Sequence, residues 1–226
     1  MPPVEVPAAT TVEDCWRLVE TSERTGRHCM MLENCCYDFF ELMTFNMVRQ
    51  GVFGELTHAE GAYIHSLVDY MQPKGDEEIY QGNWRLHENL KHNGNLYPTH
   101  GLGPVAQCLN INRGNLFSYL TSMSSQQAAF TEHARQTGNK PFMDLPTYRG
   151  DMNTTLIKCA GGQTVMVQHD TSTPRAYSAP CRTASARSGA SSLQRCGQGC
   201  SQGVDGGAPP ERLARPANRT RAANKL

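Results

Sequence analysis

The chain has 226 residues, with 21 basic and 21 acidic residues and a formal net charge of zero. Its length suffices for one large domain or two small ones, and the balanced charge gives no ground for a nucleic-acid or membrane-surface partner. No apolar run approaches the ~20 residues of a membrane helix, and the opening MPPVEVPAATT lacks the basic and apolar regions of a secretory signal.

Residues Val4–Pro7 read as extended. Thr10-Thr11-Val12-Glu13 has the pattern of a capping box, and Val12, Cys15, Trp16, Leu18 and Val19 then recur at helical spacing up to Gly26, a C-cap residue. A helix over about 11–24 is expected. HCMML (28–32) reads as a buried strand. YDFFELMTFNMVRQG (37–51) reads as a second amphipathic helix, with Phe40, Met43, Met47 and Val48 on one face and Gly51 at its end. Strand, helix, strand, helix is part of a parallel α/β sheet, and a strand at the very start needs neighbours on both sides.

From Gly54 the pattern changes. ELTHAEGAYI (55–64), FSYLTSMSS (117–125) and MNTTLIKCAGGQTVMVQHDTS (152–172) alternate as strands do, and Gly161-Gly162 joins the last run into a hairpin. GLGPVAQCLNIN (101–112) reads as a helix. The polar connections 65–96 and 126–150 read as site loops. The expected fold is α/β followed by α+β: the C-terminal part of a nucleotide-binding Rossmann domain over 1–53, then a domain over 54–180 with an open, mainly antiparallel sheet and helices on one face.

Nine cysteines are many for this length, yet Cys15, Cys29, Cys35, Cys36, Cys108 and Cys159 are scattered through apolar segments. They read as buried or unpaired thiols of a reducing compartment, not as a disulfide framework or a zinc site. The charge is also unevenly spread. Residues 181–226 hold eight Lys/Arg and two acidic residues, leaving +6 there and −6 over the rest. That segment has no aromatic residue, Ile or Met, so it cannot bury enough surface to offset its ordering entropy and is expected to be a disordered basic tail.

Several stretches, in order, resemble the NAD-dependent α-N-acetylgalactosaminidases of glycoside hydrolase family 109, within the Gfo/Idh/MocA oxidoreductase superfamily: EVPAATT, MMLENCCY, NMVRQGVFGEL, EGAYIHSLVDY, QGNWRL, NGNLYPTHGLGPVAQCLNINRG, GDMNTTLIK and MVQHDTSTPRAYS. The resemblance covers about residues 4–178. It implies NAD as cofactor and a glycan or glycoside ending in N-acetylgalactosamine as substrate. The implied route is redox: hydride leaves C3 of the sugar, the C2 proton becomes acidic, the aglycone is eliminated from C1, water adds, and the hydride returns. Ordinary glycosidases instead flank the bond with two carboxylates.

The resemblance assigns roles residue by residue. Glu5 and Val6 match a turn beside the nicotinamide, and Asn34 matches a NAD contact. Dehydrogenases of the superfamily carry lysine where this chain has Val6, which argues for the glycosidase branch over a sugar dehydrogenase. Tyr63, Arg85, Tyr97, Pro98, Thr99, His100 and Tyr177 match substrate contacts, with Tyr63, His100 and Tyr177 as candidate proton carriers. The Gly-rich phosphate loop is missing: GLGPVA (101–106) sits in the wrong context. Turnover by this chain alone is therefore not expected, and a non-catalytic remnant is the competing reading. No metal is expected. His58, His65, His87, His92 and Asp69 fit no ligand spacing. After Ser178 the sequence departs abruptly from the family, as a frameshift near Ala179 would produce. A homo-oligomer formed through the open sheet is a further expectation. Location is left open: the chain as it stands carries no signal, while family relatives include exported proteins.

Overall fold

In a computed structural model, the described residues are 3–71, 84–138, 149–174 and 190–194. Two sheets organise them. The first has two short parallel strands, β1 (Val4–Glu5) and β2 (Met31–Leu32), with Val4 opposite Met31. Between them runs α1 (Val12–Thr25). Thr11 rather than Thr10 is its N-cap, accepting from the Asp14 amide, and Gly26 closes it in the left-handed region at φ +62°. Glu13 and Asp14 in the first turn complement the helix dipole.

The expected burial of this half is corrected. No residue of α1 is buried, and Trp16 is 62% exposed. The strand expected over 28–32 shrinks to Met31–Leu32, and both residues are exposed. A two-stranded sheet offers one helix face too little surface to cover. A 3-10 turn (Asn34–Tyr37) then delays α2 (Phe39–Arg49), which ends before Gly51 at φ +71°. Phe45 and Val48 of α2 pack on the core, while Phe40 and Met43 stay exposed.

The second sheet has the order β4-β5-β6-β3-β7. Its strands are β3 (Glu55–Ile64), β4 (Phe117–Ser124), β5 (Met152–Cys159), β6 (Thr164–Asp170) and β7 (Ala190–Gln194). β4, β5 and β6 are antiparallel, and Gly162 at φ +96° makes the β5–β6 turn. β3 runs parallel to β6, and β7 parallel to β3, so the sheet is mixed rather than mainly antiparallel. β7 lies inside the segment 181–226 and is an edge strand, paired on one side with β3. The remainder of 181–226 lies outside the described residues.

Helix α5 (Thr99–Cys108) lies across one sheet face. Val105, Cys108 and Leu109 pack on Leu56, Ala59, Ile157, Val165 and Val167, each large side chain contributing about 1.5–3 kcal/mol. Among the described residues nothing covers the opposite face, where Tyr119, Met123 and Leu156 are exposed. The connections expected to be loops contain helices: α3 (Val68–Met71), α4 (Trp84–Lys91) and α6 (Ala129–Thr137). They share a small core of Val68, Met71, Leu86, Phe130 and Ala134. The fully buried Arg149 ties this layer to the sheet. Its Nε donates to Asn89 Oδ1 at 2.6 Å and its Nη2 to Thr171 Oγ1 at 3.2 Å. The six described cysteines are free thiols, and no helix among the described residues is long and apolar enough to cross a membrane.

Candidate functional site

Where α5 meets the carboxyl ends of β1 and β2, a histidine and a carboxylate are paired. His100 Nδ1 donates to Glu33 Oε1 at 2.6 Å, with both side chains about nine-tenths buried. The Cys35 amide donates to the same oxygen at 3.0 Å. Gly103, one turn along α5, clears the space: a Cβ there would stand 2.8 Å from Glu33 Cγ. Burial alone would raise the pKa of Glu33. The hydrogen bond and charge of His100 outweigh it and hold the carboxyl below its usual 4.5.

Beside this pair stands a cluster of rings centred on Tyr63 of β3. Tyr97, His100, His65 and His169 lie with ring centres 5.0, 5.3, 4.5 and 5.7 Å from it. The Tyr97 hydroxyl donates to the Val6 carbonyl at 3.1 Å, joining the cluster to the end of β1. Arg85 of α4 lays its guanidinium 4.5 Å from the Tyr97 ring centre and 4.6 Å from that of Trp84. Asn89 holds that helix in place, accepting from Arg149 and donating to the Arg85 carbonyl at 2.7 Å. Burial raises the Tyr97 pKa against the pull of Arg85. Burial, with Arg85 and His100, brings His65 down to about 4. Burial, with Arg149, Arg85 and His65, puts His169 well below 6.5. The site thus holds one carboxylate, one guanidinium and three imidazoles around rings that meet tilted or edge-on, a lining suited to an uncharged polyhydroxy ligand.

The C-terminal domain of glycosyl hydrolase family 109 matches residues 37–192. The chain belongs to this family. The α-N-acetylgalactosaminidase of Bacteroides fragilis (strain ATCC 25285) is 52% identical over 177 residues, 77% of this chain and 42% of that protein. A glycosyl hydrolase family 109 protein 1 of Shewanella sp. (strain MR-4) is 55% identical over 177 residues, 77% of this chain and 38% of that protein. The chain thus spans about two fifths of the length of these curated relatives. Among solved structures, an NAD binding oxidoreductase from Klebsiella pneumoniae superposes with a TM-score of 0.54 at 17% identity, over 77% of this chain and 42% of that one. An inositol dehydrogenase homolog from Azotobacter vinelandii, complexed with NADH and myo-inositol, gives 0.51 at 17%, over 75% and 38%. At that identity the likeness is one of fold. The family 109 match starts inside the segment read as Rossmann and runs past Ser178, where the sequence resemblance stops.

In this family 109 chain, Tyr63, Arg85, Tyr97 and His100 are gathered in one place. Val6 is buried against Tyr63 and Tyr97. Pro98 takes the N-cap position of α5 and Thr99 its first turn, so His100 lies inside the helix rather than ahead of it. Thr99 and Pro7 line both clefts flanking this region. Glu5 and Asn34 are exposed at the strand ends. Tyr177 lies outside the described residues.

Sequence reasoning gave no role to Glu33, Trp84, His65 or His169. His65 could have been found, because two residues along a strand share a face. Glu33 precedes the singled-out Asn34 with no local pattern to mark it. His169 is set by strand register alone.

Among the described residues, Glu33, Cys35 and His100 bring metal-ligating atoms within 4.8 Å of one another. His100 Nδ1 and Glu33 Oε1 are already bonded to each other, so the trio does not fit a metal without breaking the pair. For NAD, Val6 and Asn34 lie at the carboxyl ends of parallel strands, where α/β sheets receive ligands. That position is open to a cofactor's ring end, while no Gly-x-Gly-x-x-Gly run occurs in the 226 residues to hold a pyrophosphate.

Proposed function

We propose that this chain carries the sugar-binding half of a glycosidase acting on terminal α-N-acetylgalactosaminides, with NAD as catalytic cofactor. The observation that supports it most is the His100–Glu33 pair set against Tyr63, Tyr97 and Arg85 beside the Val6 turn. NAD, when bound, supplies a reversible hydride acceptor, so that oxidation at C3 makes the C2 proton acidic and the later reduction leaves no net change.

The chain's own residues do the rest. Glu33 fixes the His100 proton on Nδ1, which leaves Nε2 to take the proton of a sugar hydroxyl and return it. Arg85, stacked on Tyr97 and Trp84, presents fixed N–H donors to oxygens that gain charge. Tyr97 is anchored through its hydroxyl, and Tyr63 packs the floor between them. Val6 offers no titratable group at the turn where a dehydrogenase of the superfamily would place lysine. Tyr63 and Tyr177 are the candidate bases at C2.

The bare face of α1 favours a second reading, a sugar-binding remnant without turnover. Pairing of two copies through the bare sheet face belongs to the same proposal, and sedimentation tests it. Calorimetric titration of the full chain with methyl α-N-acetylgalactosaminide decides the main reading. Binding supports it, with no aglycone release expected from this chain alone. Absence of binding at any attainable concentration would sink it. Net NADH formation in the presence of a free sugar would favour a dehydrogenase.

A further inference from the structure

Arg149 is fully buried, and with Gly150 and Asp151 it stands just ahead of β5. The three residues form a joint between the sheet and the helical layer. Arg149 Nη1 donates to the Gly150 carbonyl at 2.7 Å and the Asp151 carbonyl at 3.1 Å, which locks the guanidinium to the chain entering β5. Nη2 donates to Thr171 Oγ1, just past the end of β6, and Nε to Asn89 Oδ1 of α4. The backbone follows the same line. The Arg149 amide donates to the Asn89 carbonyl at 3.2 Å, and the Gly150 amide to Asn93 Oδ1 at 3.1 Å. A Cβ on Gly150 would stand 1.9 Å from the Ser125 carbonyl oxygen, so only glycine fits between them. Asp151 Oδ2 accepts from the Ala128 and Ala129 amides at 2.8 and 3.0 Å and holds the start of α6.

The path continues into the ring cluster. Asn89 Nδ2 donates to the Arg85 carbonyl, one turn earlier on α4, at 2.7 Å. Arg85 in turn lays its guanidinium on Trp84 and Tyr97. We propose that Arg149 is a positioning residue: through Asn89 it fixes the first turn of α4, and with it the stance of the Arg85 guanidinium in the cleft.

The helix needs such a tie. α4 has eight residues, too few for a helix to be stable alone. Leu86 and Asn89 are its buried residues, so the amide that Arg149 holds is half of its anchorage. An apolar contact is non-directional and lets a helix slide. A guanidinium is a planar fork with fixed donor directions, and it holds one geometry. The space lined by Trp84, Arg85, Asn89 and Thr171 is only about 10 Å³, so a shift at Asn89 is passed to the cleft wall rather than absorbed. Arg149 itself has no exposed surface and acts on the cleft through these neighbours.

The proposal rests on reading the ring cluster as a sugar site, and the test separates the two. NMR of the isotope-labelled full chain follows the Arg85 Nε–H and Trp84 indole N–H signals, first without ligand and then with methyl α-N-acetylgalactosaminide. Arg149→Lys keeps the charge but replaces the fork by one ammonium. Asn89→Asp keeps the acceptor for Arg149 and removes the donor to the Arg85 carbonyl. Ala134→Gly loosens the same helical layer from α6 and leaves the path from Arg149 to Arg85 intact. Both path variants should move the two ligand-free signals and bind the sugar about three- to tenfold more weakly. Ala134→Gly should lose stability, leave both signals in place and bind as the unaltered chain does. If the path variants leave the signals and the affinity where Ala134→Gly leaves them, Arg149 is structural only and the proposal fails. If Arg149→Lys does not fold, Asn89→Asp decides alone. If the unaltered chain binds no sugar, the wider reading fails, and the ligand-free signals still decide whether Arg149 sets Arg85.

Discussion

Gly61 of β3 and Gly101 of α5 meet backbone to backbone. A Cβ on Gly61 would stand 2.2 Å from the Gly101 carbonyl oxygen, and one on Gly101 would stand 2.7 Å from the Ala62 amide nitrogen. This approach seats α5 low enough on the sheet for His100 to reach Tyr63 at 5.3 Å. Gly61→Ala should therefore force the helix off the strand, lowering stability by about 1–3 kcal/mol and removing sugar binding. Gly94→Ala, where nothing lies within 4 Å, is the control and should change stability by less than about 0.5 kcal/mol. Urea unfolding of the three chains measures both.

Glu33→Ala leaves the His100 Nδ1 proton and the Cys35 amide buried without their acceptor, and should cost about 1–3 kcal/mol. Glu33→Gln keeps the volume and one acceptor oxygen, so it should recover much of the stability. The pH response separates the charge from the shape. The folded carboxyl titrates below its unfolded value of 4.5, so its contribution is full above 4.5 and is lost as pH falls through the folded pKa. Acid unfolding of Glu33→Gln should lack that loss. An unchanged acid limb would show that the pair contributes nothing through its charge.

His65 acts at higher pH. It takes up a proton near 6.5 when unfolded and only near 4 when folded, so the unfolded state binds more protons across that window. Stability should fall as pH drops from about 6.5 to 4, and His169 adds to the same trend. His65→Asn should flatten the curve. Thermal melts at stepped pH check it, and a flat wild-type profile would contradict the burial of these rings.

Arg85→Lys keeps the charge and gives up the planar stack on Tyr97 and Trp84. We expect sugar affinity to drop about tenfold in Arg85→Lys and further in Arg85→Met, with little change in melting temperature because the guanidinium lies at the cleft wall. Calorimetric titration reads the affinities, and equal binding by all three chains would remove Arg85 from the site.

Local signals carried much of the architecture. Alternation over 55–64, the Gly161-Gly162 turn, and the cap residues Thr11 and Gly26 each act within a few residues of themselves, and each element formed where its pattern lay. The grouping of Tyr97, Thr99 and His100 was legible because they are adjacent in the chain. The helices inside 65–96 and 126–150 were not, because their short apolar patterns gain meaning only when α3, α4 and α6 share one small core.

By itself, then, the sequence determined most of the strands, the capped helices and the run of residues proposed to meet the ligand, since propensity and capping are short-range. Only the tertiary structure decided which groups complete the site. Glu33 reaches His100 across 67 residues because two glycines and a cleared turn at Gly103 let α5 settle on the strand ends. His169 reaches Tyr63 because a parallel pairing sets their register. Contacts of that kind depend on how whole elements dock, and no window of sequence contains both partners.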